Sequence, residues 1–226
     1  RIFGMILNVI SRDRFIEDNK RGFKRIMSSR NLDNDVEDEV VDKLVNTVDR
    51  AMPKLTHRYY KWKANQFGQS RLDWWDRNAP LPHSSEKLIK WSQAKDMILD
   101  SFSSFHPEIS NLAELFFKNN WIDASLRKGK ASGAFAHPSV PSLHPYILVN
   151  YQGKIRDVMT LAHELGHGVH QILAGKNGLL MAETPLTLAE TASVFGEMLV
   201  FRKLLDESPI EQKKQLLSGK IEDMLN

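Results

Sequence analysis

The run Thr160-Leu161-Ala162-His163-Glu164-Leu165-Gly166-His167 constrains this chain more than any other stretch. Residues four apart on an α-helix lie about 40° round from one another and one turn up, so His163 and His167 can reach one point in space. The surrounding pattern predicts such a helix. Asp157 and Thr160 stand where an N-cap and a first turn belong, and Val158, Leu161, Ala162, Leu165, Val169 and Ile172 supply the apolar face. Gly175 is a natural stop. Two imidazoles converging at about 2.0 to 2.1 Å from a shared centre make a half-complete zinc site. Glu164 lies about 100° round from His163, where it can flank a metal without binding it and take a proton from a zinc-bound water.

A third ligand has to come from another element. Thr187 to Leu205 reads as a second helix, with Leu188, Thr191, Val194, Phe195, Met198, Leu199 and Phe201 on a broad apolar face. Its Glu190 and Glu197 are seven residues apart, close to two turns, and share one face with Ser193 between them. Glu190 is taken as the ligand and Glu197 as a partner able to fix a histidine tautomer, although the spacing alone does not decide between them. His170 is a rival ligand, but its rise of about 10 Å along the axis from His163 is too great for one metal. Leu173 stands where a metzincin would carry its third histidine, which excludes that class.

The segments Asp157-Val158-Met159-Thr160-Leu161-Ala162-His163-Glu164-Leu165-Gly166-His167-Gly168-Val169-His170 and Thr184 to Glu197 together resemble the zinc site of oligoendopeptidase F, in the wider thimet oligopeptidase family. The likeness extends to Trp121-Ile122-Asp123 and to Gly129 to Phe135, with Phe135 where a Tyr is usual, and covers most of residues 55 to 205. The resemblance implies that His163, His167 and Glu190 bind one zinc ion per chain and that Glu164 is the catalytic base. It also implies that Gly133, Ala134 and Phe135 contribute to substrate binding, and that the substrates are short peptides cut internally. That family supplies a later His and Tyr cluster to the substrate carbonyl and oxyanion, and no counterpart precedes Asn226. With no initiator Met either, the expectation is a chain that continues at both ends, with those missing parts as its partners.

Along the rest of the chain, residues 1 to 30 alternate apolar and charged positions as one broken helix, and 31 to 35 form a polar punctuation. From Val36 the stripe Val36, Val40, Val41, Leu44, Val45, Val48 predicts a long packing helix reaching towards Gly68, kinked at Pro53. Tyr59, Tyr60, Trp62, Trp74 and Trp75 are expected in the core. Ser84 or Ser85 should cap a helix running to about Phe105, and Pro107 should open the next, ending near Asn120. Ser125 to Pro145 is too rich in Gly and Pro for regular helix, and long irregular stretches in compact domains tend to be functional. His106, His137 and His144, in or near it, are read as surface or satisfied histidines, having no partner at metal spacing. Tyr146 to Tyr151 reads as an edge strand whose Leu148, Val149, Asn150 and Tyr151 pair with an extended substrate. Ser208-Pro209-Ile210-Glu211 has capping-box order for a last helix.

The fold expectation is therefore mainly α, a zincin-like helical metallopeptidase core with a small β-sheet at the active-site cleft. Within one catalytic domain, residues 1–124 would be helical scaffold, 125–156 the substrate loop and edge strand, 157–205 the zinc-site helices and 206–226 the start of a further helix. Lys and Arg number 31 against 28 Asp and Glu, a net charge of +3 with the signs interspersed, so neither nucleic acid nor a membrane surface is indicated as a partner. The absence of cysteine removes disulfides and thiolate ligands and agrees with a cytoplasmic protein. A related zinc carboxypeptidase would need a cationic residue poised for the substrate C-terminus. A helical module with structural zinc would need a fourth protein ligand, and three good candidates are present.

Overall fold

The computed structural model describes residues 1–82 and 88–225, in two compact units, Arg1–His57 and Arg58–Asn226. The first unit holds three helices: α1 (Ile2–Arg21), α2 (Ser28–Asp33) and α3 (Asp38–Ala51). Helix α1 stops because Gly22 takes the left-handed conformation at φ 74° and returns its N–H to the carbonyl of Asn19, closing the helix end. The expected break within residues 1 to 30 thus falls at Gly22, and Asn31 to Asp33, read as punctuation, belong to α2. Asp38 opens α3 and accepts from Ser28 Oγ at 2.6 Å and Asn31 Nδ2 at 2.7 Å, while Arg25 grips Asp42 through two hydrogen bonds. The apolar stripe of α3 is exposed, with Leu44 63% and Val45 61% accessible, so it is not the packing helix that its periodicity predicts.

Helix α4 (Thr56–Gln66) is separate from α3. Pro53 lies in a turn of four residues between them, and the continuous helix expected to Gly68 is two helices. Tyr59 is buried beside Tyr60 and Trp62, whereas Trp74 and Trp75, on a short 3-10 turn, are 83% and 66% exposed and fall outside the core. Helix α5 (Trp91–Phe105) starts after the predicted cap, and Ser84 and Ser85 lie outside the described residues. Helix α6 (Pro107–Lys118) begins at Pro107 as expected, capped by His106, whose ring nitrogen accepts the Glu108 N–H at 3.2 Å.

Three short strands, β1 (Ile122–Asp123), β2 (Phe135–His137) and β3 (Tyr146–Leu148), form a sheet in the order β1-β3-β2. β1 is parallel to β3, and β2 is antiparallel, with Ala136 opposite Ile147. β3 is therefore the central strand. Its amides at Ile147 and those beyond it at Val149 and Tyr151 donate to the carbonyls of Trp121, Asp123 and Ala124, which corrects the expectation that this segment offers a free edge to substrate. The edge next to the HExxH helix is β2.

Helix α7 (Ile155–Gly175) follows, then α8 (Leu186–Glu207) and α9 (Ile210–Leu225). Asp157 sits in the first turn of α7 rather than at its cap, where one carboxylate oxygen accepts the N–H groups of Gln152 and Lys154 at 2.8 and 3.0 Å. At the other junction Ser208 bonds back to the Leu204 carbonyl at 2.6 Å, closing α8 instead of opening α9, and the Glu211 side chain lies outside the described residues. The core of this unit is built from α5, α6, α7, α8 and the sheet. Ile98, Phe102, Phe116, Ile147, Val158, Leu161, Leu165 and Val200 are fully buried in it, each worth about 1.5 to 3 kcal/mol of transfer free energy. The fold is thus mainly helical with one small sheet, and α7, packed on β2, β3, α6 and α8, is its central helix.

Candidate metal centre

Glycines set the distance between the two motif helices. A Cβ on Gly166 would lie 2.6 Å from the Ala192 carbonyl oxygen and 2.7 Å from Ser193 Cα, and one on Gly196 would lie 3.1 Å from the Ala162 carbonyl oxygen. Gly168 likewise faces the Phe116 ring, at 2.5 Å. Only hydrogen fits at the crossing, so α7 and α8 approach closely enough for side chains of both to meet.

What meets there is His163, His167 and Glu190. The imidazoles stand 4.9 Å apart between centroids at 80°. Glu190 Oε2 lies 3.2 Å from His163 Nε2 and 3.6 Å from His167 Nε2. Ligand atoms at about 2.0 to 2.1 Å from a tetrahedral zinc are separated by about 3.3 Å, so the arrangement fits that ion. Two imidazoles and one carboxylate are also the ligand set of zinc sites that keep a fourth position open. Among the described residues this is the one such group of His, Asp and Glu. Ser193, fully buried, donates to Glu190 Oε2 at 2.8 Å and so aims the exposed carboxylate.

The seven-residue pair of glutamates is resolved by which nitrogen each faces. Glu197 Oε2 lies 3.4 Å from His163 Nδ1, on the far side of the ring from Glu190, and its other oxygen accepts from Lys220 on α9. Burial would raise the Glu197 pKa, but hydrogen bonds from His163 and Lys220 outweigh it and hold the carboxyl below its ordinary value. The same Glu197 contact raises His163 against the effect of burial, whereas burial lowers His167. His170 does not join the group.

Glu164 is 6% exposed, and burial pushes its pKa up, partly opposed by His163 and by a hydrogen bond from the Ala136 backbone. Ala136 is the middle residue of edge strand β2, and its carbonyl accepts from Gln171 Nε2 at 3.2 Å, so α7 engages both of its main-chain polar groups. Two clefts flank the metal group. One, of about 550 Å³, is lined by Gly133, Ala134, Val149, Asn150, Tyr151, His163 and Glu164. The other, of about 660 Å³, runs past His167, Gln171, Trp121, His144 and Val140. Of the residues expected at substrate, Phe135 and Leu148 pair with each other in the sheet, and Asn150 donates its amide to the carbonyls of Ala131 and Gly133, at 2.9 Å each. His144 stacks on Trp121 at 3.9 Å and 7°, and His137 accepts from the Ser139 amide, so both are satisfied as expected. Lys130, its side chain 2% exposed, ties the irregular segment down by donating to the carbonyls of Asp123, Ser125 and Val149.

A mainly helical core that carries a HExxH helix and a glutamate helix beside a small sheet is the setting of this metal group. The model of peptidase family M3 matches residues 5–226, and the chain belongs to that family. It is 28% identical over 209 residues to oligopeptidase PepF of Bacillus subtilis (strain 168), covering 92% of this chain and 30% of that protein. To an oligoendopeptidase F homolog of Borreliella burgdorferi it is 30% identical over 226 residues, covering 98% and 38%. A crystal structure of a protein assigned as a peptidase from Chlamydophila abortus superposes with a TM-score of 0.78 at 26% identity, over 99% of this chain and 37% of that one. The chain thus spans about a third of the length of these relatives. Among the described residues no helix is long and apolar enough to cross a membrane.

Proposed function

We propose that the chain carries the zinc site of a metalloendopeptidase that cuts internal bonds of short peptides in the cytoplasm. The observation that carries this reading is the convergence of His163 Nε2, His167 Nε2 and Glu190 Oε2 within 4.8 Å of one another, beside a buried carboxylate that is not among them. Zinc bound by those three atoms would supply a Lewis acid that polarises the peptide carbonyl and lowers the pKa of a water to about 7. Glu164 then does the proton work. Buried beside the metal group without belonging to it, its carboxylate is placed to accept the proton of the attacking water and return it to the leaving amine.

Internal cleavage is favoured by room on both sides of the metal group. A peptide pairing antiparallel with β2 would run from the cleft beside Val140 and His167 to the one beside Gly133 and Glu164, with clefts of about 660 and 550 Å³ to take either half. Main-chain pairing of this kind gives affinity with little side-chain selectivity, which suits mixed short peptides. At Ala136 the substrate has to share or displace both the Gln171 contact on the carbonyl and the Glu164 contact on the N–H.

The test is Glu164→Gln. One equivalent of zinc should remain while cleavage of a quenched peptide blocked at both ends falls by about 10² to 10⁴. Loss of metal in this variant would remove Glu164 from the role of base. Wild-type protein that cuts only peptides with a free C-terminus would make the site a carboxypeptidase's.

A further inference from the structure

The His163, Glu197 and Lys220 side chains form a line that leaves the metal group and ends on a third helix. For His163 Nε2 to offer its lone pair to a metal, the ring proton must sit on Nδ1, and Nδ1 faces Glu197 Oε2 at 3.4 Å. Glu197 can turn. It borders both the 550 Å³ cleft and a second cavity of about 250 Å³, where Arg156, Asp223 and Glu222 also lie. What occupies its second oxygen is Lys220, whose side chain is 13% exposed and whose Nζ stands 6.0 Å from the Phe201 ring centroid.

Lys220 is not a free surface lysine, because its helix is tied down two residues further on. Glu222 Oε2 accepts from Lys63 Nζ at 2.6 Å and from Tyr59 Oη at 2.8 Å, and the Lys63 side chain is fully buried. Helix α9 therefore presents Lys220 from a fixed position.

We propose that Lys220 is a positioning residue for the metal site: by pinning one oxygen of Glu197 it keeps the other on His163 Nδ1, and so couples metal affinity to the docking of α9. This rests on the zinc-site reading above. Lys220 lines neither of the clefts beside the metal group, so it makes no substrate contact of its own.

The experiment is chelator-competition titration of zinc into metal-free wild type, Lys220→Met, Lys220→Arg, Glu197→Gln and the Glu197→Gln/Lys220→Met pair, with thermal melts on each. Outer partners of metal ligands typically contribute 10- to 100-fold, and Lys220→Met should weaken zinc by about tenfold. Lys220→Arg should recover most of that loss, and at limiting zinc kcat should fall in Lys220→Met with KM unchanged. In the Glu197→Gln background the Lys220 substitution should have no further effect, since its target is already altered. Unchanged zinc affinity in Lys220→Met would overturn the proposal, as would additive losses in the double variant, which mark a separate packing role. Should the methionine variant fail to fold, Lys220→Gln replaces it with the same expectations. Wild type that takes up no zinc would bring down the metal-site reading itself, a result distinct from an indifferent Lys220.

Discussion

Gly166→Ala tests the idea that backbone contact between α7 and α8 builds the metal group. The new Cβ would sit 2.6 Å from the Ala192 carbonyl oxygen and 2.7 Å from Ser193 Cα, against an ordinary contact beginning at 3.4 Å. The helices must separate by 3.4 minus 2.6, or 0.8 Å, and no side chain can rotate away to absorb it because both obstacles are backbone. Overpacking of this kind costs about 1 to 3 kcal/mol, and backbone obstacles put it at the upper end. The gain in helix propensity returns about 1 kcal/mol, leaving a net loss near 2 kcal/mol. For a chain of this size that is a drop in Tm of about 4 to 8 °C. The metal should feel it more than the melt does. Ser193 is itself at the contact and holds Glu190, while metal ligands tolerate errors of only about 0.2 Å. Zinc affinity measured against a chelator should therefore fall together with Tm. Gly219→Ala, with nothing within 4 Å of its Cβ, is the matched control and should stabilise α9 by about 1 kcal/mol. A Gly166→Ala protein with wild-type Tm and wild-type zinc affinity would refute the argument, because it would mean the helices do not touch at that point.

Three further outcomes follow from the same geometry. Ser193→Ala removes the 2.8 Å hydrogen bond to Glu190 from a fully buried position, and should weaken zinc while lowering stability by only about 1 kcal/mol; loss of folding instead would show that the serine serves packing first. Lys130→Met takes a donor from three carbonyls, of which that of Asp123 keeps the Val149 N–H, and should cost about 1 to 3 kcal/mol and expose the 125–134 segment to protease; wild-type resistance to nicking would show that the loop is held by other means. Asp123, held by Arg127 and Lys130, has its pKa lowered from 3.8 to about 2. A folded-state pKa below the unfolded one stabilises at pH values above 3.8, and the contribution fades as pH falls towards 2. Acid unfolding followed over that window should be shallower in Asp123→Asn, and an identical slope would deny Asp123 a part in it.

How much of this was legible beforehand depended on whether the information was local. The spacing of His163 and His167 is a property of one helix, and so was readable without knowing what lies opposite. The choice between Glu190 and Glu197 was not, since both lie on one face of α8. Only the crossing with α7 decides that Glu190 meets Nε2 while Glu197 meets Nδ1. The strand at Tyr146 was recognisable from composition, but its place in the centre of the sheet depends on the two- and three-residue strands β1 and β2, which carry almost no periodic signal. Periodicity also misled where it was clearest. The stripe of α3 has helical spacing and forms a helix, yet Val40, Leu44, Val45 and Val48 stay exposed, because an amphipathic pattern says which face is apolar and not what covers it.

One signal of the site was present in the sequence apart from the motif. Gly166, Gly168 and Gly196 lie inside helices, where each costs about 1 kcal/mol relative to alanine, roughly 3 kcal/mol in all. A sequence tolerates such a conflict between local preference and fold where something else requires it. Here the requirement is a backbone approach at Gly166 and Gly196 and an aromatic ring pressed on Gly168. The first two bring the histidine helix and the glutamate helix within reach of a common point, and the third seats the histidine helix on α6. Interior glycines four residues or fewer from a ligand histidine, faced by another near the second glutamate, therefore encode the helix separation that the spacing of the ligands leaves open. Lys220 lacked any comparable mark. It acts from a third helix 23 residues beyond Glu197, and only the packing of α9 brings it to the carboxylate.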